Sequence, residues 1–147
     1  MTELLLYTAD RAQHVSEVIL PALEKGDWVI SDRFSGSTLS YQGYGRNLNI
    51  DLINQLEQIA TQGIVPDITF WFDLSVQESL SRRKERANDR IEAEGVDFLM
   101  RVSNAFSFLA QERNWVKISA ALDQNLVSQE IQKSLENYLL LKDKRDA

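Results

Sequence analysis

The segment WVISDRFSGSTLSYQGYGR, residues 28 to 46, sets a carboxylate and a guanidinium, Asp32 and Arg33, directly behind an apolar run. Hydroxyls, aromatics, glycines and a second arginine follow. A site for a phosphorylated ligand uses nearly all of them. A carboxylate at a strand end can hold Mg²⁺ directly or through water, and an arginine grips phosphate oxygens as a bidentate fork. Thr38 and Tyr41, one helical turn apart, can both face the Asp32–Arg33 end, and Gln42, Tyr44 and Arg46 add hydrogen-bonding and cationic capacity. The alternative for these residues is a surface Asp–Arg pair capping the next helix, then a polar turn.

Two further groups could take part. Tyr7 and Arg11 are spaced to share one face of a helix, and that face is the apolar stripe of Leu4, Val15 and Val18. An arginine on such a stripe needs a partner. Tyr7 can stack on a flat ligand while Arg11 donates to its edge; the other reading has Arg11 snorkelling to the surface above a packed Tyr7. Farther on, Arg82, Arg83, Lys84, Arg86 and Arg90 form a basic segment, which is either a solvated helix face or an arginine-bearing flap that excludes water during phosphoryl transfer. His14 reads as structural, and Trp28, Trp71 and Trp115 read as core.

The elements that must position these groups alternate between helices and short strands. Apolar spacing predicts helices over 2–25 (stopped by Gly26 and bent near Pro21), 35–41 (capped by Ser35), 50–62, 76–87, 96–112 and 125–139. Leu52, Ile53, Leu56, Ile59 and Ala60 are expected inward on the 50–62 helix, and Leu126, Ile131, Leu135 and Leu139 on the last. DWVIS reads as a buried strand, DITFWFDL and WVKIS as two more strands, QGYGRNLN as a loop and KDKRDA as a frayed tail. The expected fold is an α/β unit with a mostly parallel sheet flanked by helices, in one domain over residues 1–147. In such sheets, ligands gather at the carboxyl ends of strands, where Asp32 and Arg33 would sit.

Composition bounds the function. The 147-residue chain has no cysteine and one histidine, which excludes disulfides, thiolate metal sites and histidine-rich metal clusters. A net charge of −6 argues against general binding to a nucleic-acid backbone. The apolar runs are too short to span a bilayer, and the acidic start MTELLL lacks a signal-peptide pattern. A cytoplasmic soluble protein is the expectation.

ELLLYTADRAQHVSEVILPALEKGDWVISDRFSGSTLSYQGYGR, PDITFWFDLSVQESLSRR and DRIEAEGVDFLMRV together resemble bacterial thymidylate kinase over residues 2 to 139. That resemblance implies a P-loop-kinase-like fold, with ATP and Mg²⁺ used to phosphorylate dTMP to dTDP, in a homodimer. It implies that Tyr7 stacks on thymine, that Arg11 hydrogen-bonds the base, and that Arg33 holds the monophosphate with Asp32 near the metal. Phe34 stands where tyrosine or histidine often follows. Thr38, Tyr41 and Gln42 match nucleotide-reading positions. Arg82, Arg86 and Arg90 match a lid near 82–95 that reaches the ATP phosphates, with Arg33, Arg82 and Arg86 the catalytic set. The loop from Ser119 to Ala121 matches part of the adenine pocket.

One departure bears on mechanism. None of the glycines at 26, 36, 43, 45, 63 and 95 is followed by Lys-Ser or Lys-Thr, so the G-x-x-x-x-G-K-[ST] phosphate loop is missing from this sequence. The chain is therefore expected to be an N-terminally truncated thymidylate kinase. The alternative is a catalytically inactive nucleotide-binding or dimerisation fragment.

Overall fold

The computed structural model describes residues 1–82 and 94–146. The chain forms two compact units, Met1–Val65 and Pro66–Ala147.

The first unit is helical. Helix α1 (Thr2–His14) runs into a π-helical turn, Val15–Ile19, and on into α2 (Leu20–Glu24). The widened turn lies just before Pro21, which has no N–H to give and whose ring crowds the preceding turn. The irregularity next to Pro21 takes the form of this π-helical turn. Helix α3 (Ser35–Thr38) continues as a second π-helical stretch, Leu39–Gly45, and α4 (Ile50–Thr61) closes the unit. Asn49 caps α4 by accepting the Leu52 N–H at 2.8 Å. Gln62 and Gly63, both in the left-handed region, end it. Leu4, Val15, Ile19, Leu39, Ile53 and Ala60 are buried, and α1 packs against α4.

The second unit is α/β. Strands β1 (Phe70–Asp73) and β2 (Val116–Ser119) pair in parallel, Phe70 opposite Val116 and Asp73 opposite Ser119. Helices α5 (Val76–Arg82) and α6 (Val96–Glu112) lie between them in sequence, and α7 (Gln124–Asp146) follows. Phe98, Val102, Ala105 and Leu109 form the inner stripe of α6, and Ile118 of β2 is buried. A parallel pair joined through helices is the α/β arrangement expected from the sequence.

Several expectations are corrected. DWVIS is not a strand: residues 27–31 carry no regular structure, and Trp28 and Ile30 are 69% and 95% exposed. A strand needs a neighbour to take up its backbone hydrogen bonds, and the first unit contains no other strand. Trp28 is accordingly not core, while Trp71 and Trp115 are half-buried. Gln42–Gly45 belongs to the second π-helical stretch and not to a loop. Gly43 permits this, because a Cβ there would stand 2.6 Å from Ile50 Cδ1. Phe34, not Ser35, holds the N-cap of α3, without a side-chain hydrogen bond. Val18, Ile59 and Leu126, expected inward, are exposed.

The tail is helical to Asp146. It contains no glycine or proline, and the Tyr138 hydroxyl and Lys142 Nζ both reach Asp67, at 3.3 and 3.2 Å. No helix among the described residues is long and apolar enough to cross a membrane.

Helix α4 offers a direct test of which face carries the packing. Ile53 is fully buried and Ile59 is 72% exposed. I53A should lower the unfolding free energy by about 2–5 kcal/mol and I59A by less than about 0.5 kcal/mol, read from urea midpoints. Equal costs would contradict the assignment of the buried face.

Candidate acceptor site

Arg11 is where the first unit concentrates its polar chemistry. From α1 its Nη2 donates to Thr38 Oγ1 at 2.9 Å, and its Nε lies 3.0 Å from Glu57 Oε2 on α4. Its guanidinium carbon stands 5.1 Å from the centre of the Phe34 ring. Three separate segments thus meet on one side chain. Arg11 does not snorkel: its side chain is 13% exposed, and that of Glu57 is 7%. The Nε–Oε1 separation of 3.4 Å meets hydrogen-bond geometry, whereas the closer Oε2 does not. The pair is an ion pair with imperfect hydrogen bonding.

Arg33 forms the second focus. Its guanidinium carbon is 5.2 Å from the centre of the Tyr41 ring. Its backbone is left-handed, with φ 71°, and its carbonyl accepts from Ser31 Oγ at 2.8 Å. A non-glycine residue in this region costs of order 1 kcal/mol or more and is found where the surroundings fix it, often at functional sites. Desolvation opposes the Arg33 charge. A hydrogen bond with Tyr41 and the electrostatic influence of Tyr41, Asp32 and Tyr7 outweigh it, and the pKa is raised above the ordinary arginine value. The stabilisation is complete below the ordinary value and is lost only as pH rises through the still higher folded value. Arg33 is a permanent cation.

The structure therefore brings Arg11 to Thr38 and Arg33 to Tyr41, with Tyr7 and Asp32 near enough to Arg33 to act on its charge. Tyr7 is 45% exposed. Asp32 is exposed. Among the described residues no group of three His, Cys, Asp or Glu side chains is arranged to hold a metal by itself. A single exposed carboxylate still suits Mg²⁺, which ordinarily takes one or two carboxylates and completes its shell with waters and ligand phosphates.

Gln42 is 3% exposed, and its Nε2 donates to Glu3 Oε1 at 2.9 Å. Arg46 joins it, donating from Nε to Glu3 Oε1 at 2.7 Å and from Nη2 to Oε2 at 3.1 Å. That bidentate pair ties the start of α1 to the end of the second π-helical stretch. In the second unit Arg82 donates from Nη1 to the Ala120 carbonyl at 2.8 Å, which joins the end of α5 to the loop from Ser119 to Ala121. Arg86 and Arg90 lie outside the described residues. His14 is exposed.

Sequence reasoning missed Glu57, Glu3 and Phe34. A signal existed for Glu57: it falls between Ile53 and Ala60 on the buried stripe of α4, where a carboxylate demands a cationic partner.

The family model described as thymidylate kinase matches residues 1–131. Thymidylate kinase from Prochlorococcus marinus strain MIT 9303 is 63% identical over 138 residues, covering 94% of this chain and 64% of the relative. The strain MIT 9313 protein of the same name is 62% identical, with the same coverage. Thymidylate kinase from Synechococcus sp. strain CC9605 is 59% identical over 137 residues, covering 93% of this chain and 66% of the relative. The chain spans about 64% of the length of the first two of these curated relatives. On the extent of the family match and the level of identity, the chain belongs to the thymidylate kinase family.

Proposed function

We propose that the first unit carries the acceptor-nucleotide edge of an enzyme that transfers a phosphoryl group from ATP to dTMP, giving dTDP. The observation that carries this reading is the pairing of two arginines with different surroundings. Arg11 is neutralised by Glu57 and aligned by Thr38, whereas Arg33 is exposed and supported by Tyr41. The relatives' printed name supports the kinase and its substrate.

In this mechanism Tyr7 stacks on the thymine ring, and Arg11 donates to its edge. Thr38, Tyr41 and Gln42 complete the pocket wall, and Arg33 takes the monophosphate. A phosphate oxygen of dTMP attacks the γ-phosphorus in line as the bond to the β,γ-bridging oxygen breaks and ADP leaves, with no covalent enzyme intermediate, so the protein contributes positioning and charge stabilisation. Arg82, Arg86 and Arg90 meet the donor phosphates from a lid over residues 82–95, and Arg33, Arg82 and Arg86 offset the charge that builds during transfer. The loop from Ser119 to Ala121 contributes to the adenine pocket. Asp32 is the side chain that would hold Mg²⁺, which when bound neutralises phosphate oxygens. On this reading residues 1–147 belong to one nucleoside-monophosphate-kinase domain that works as a cytoplasmic homodimer.

Isothermal titration of the folded 147-residue chain tests the acceptor site. Saturable binding of dTMP and none of dGMP is expected, and R33A should weaken dTMP at least about tenfold, since hydrogen bonds to charged groups contribute about 1.5–3 kcal/mol. Because Arg33 keeps its charge, the ratio of wild-type to R33A affinity should be the same at about pH 7 and about pH 9. A folded chain that binds neither nucleotide, or both alike, would overturn the reading.

A further inference from the structure

Glu57 is a buried carboxylate that the proposed chemistry does not use. It is 5% exposed and shares the inner face of α4 with Ile53 and Ala60. A charge on such a face carries a desolvation cost of several kcal/mol, and an apolar residue of similar volume there is often neutral or stabilising. Its one ion-pair partner among the described residues is Arg11, and that pair is imperfectly hydrogen-bonded. Packing therefore does not explain a glutamate at this position. Its effect on Arg11 does.

The contacts fix how the guanidinium can be used. Nε faces Glu57 and Nη2 faces Thr38, which leaves Nη1 without a protein partner among the described residues. The plane of the fork is set by two contacts and by the Phe34 ring beside it. The nearby carboxylate also cancels most of the arginine's charge. A guanidinium in that state is a weak ligand for a phosphate and still a directional donor to a neutral oxygen. Arg33, whose contacts are an aromatic ring and a hydroxyl, keeps the opposite character.

We propose that Glu57 is a positioning residue for recognition of the acceptor base: it orients and neutralises Arg11 so that Arg11 donates to a ring carbonyl and does not compete for the phosphate. The ligand class is a pyrimidine nucleotide that presents a carbonyl oxygen to Arg11. A cytosine, which presents an amino donor on that edge, is rejected because two donors would face each other. This rests on the acceptor-site reading above.

The test uses the full chain and its E57Q variant, titrated with dTMP, dCMP and inorganic phosphate. E57Q keeps the shape and removes the charge. It should weaken dTMP about tenfold, reduce the preference for dTMP over dCMP by a similar factor, and strengthen inorganic phosphate binding severalfold. Glu57 acting only in packing would weaken both nucleotides in proportion and leave phosphate unchanged, and that result overturns the proposal. If E57Q does not fold, E57D keeps the charge but withdraws it by one methylene, and loss of discrimination is again expected; full retention in E57D would be contrary. A folded wild-type chain that fails to bind dTMP overturns the acceptor-site reading, and this proposal falls with it. Wild-type binding with unaltered selectivity in the variants overturns the proposal alone.

Discussion

The ion pair between Arg11 and Glu57 is the constraint around which the first unit is arranged. Neither charge can be buried alone, so α1 and α4 pack in a register that brings them together. Thr38 accepts from the same guanidinium and draws in the start of the second π-helical stretch, and Phe34 lies beside it. Both of these contacts lie C-terminal to the Asp32–Arg33 pair, so Arg11 anchors the chain on that side of it. Glu3 performs a comparable task at the other end of α1, where it holds Gln42 and Arg46.

The two arginines sit in opposite surroundings. Arg11 is enclosed and neutralised, which suits a neutral acceptor whose position must be read closely. Arg33 sits on a strained, exposed backbone and is supported by an aromatic ring and a hydroxyl, which suits an anion that arrives with its own charge. Geometry and electrostatics point the same way in both cases. The strain at Arg33 and the imperfect hydrogen bonding of Glu57 are departures from what packing alone would favour, and such departures concentrate at functional sites.

Much of this was legible in the residues. Helices α4 and α6 followed from apolar spacing and from the stop at Gly63, and both paired strands followed from their β-branched and aromatic runs. Types and spacing singled out Tyr7, Arg11, Arg33, Thr38 and Tyr41, and the fold sets Arg11 against Thr38 and Arg33 against Tyr41. What failed depended on partners that local sequence does not show. DWVIS has the composition of a strand and no neighbour to pair with in its unit. QGYGRNLN has the composition of a loop, and its second half is one, yet Gly43 lets the first half pass close to Ile50 and stay helical to Gly45. Glu57 went unread because its partner Arg11 lies 46 residues away in sequence.

A double-mutant cycle between Arg11 and Glu57, followed by urea unfolding of R11M, E57M and the double variant, measures the central interaction directly. Each single change strands a buried charge and should cost about 3–5 kcal/mol, while the double change should cost less than either alone, because both charges are then gone. Costs that add to within about 0.5 kcal/mol would show that the two side chains act independently, and the arrangement of the first unit would need another cause.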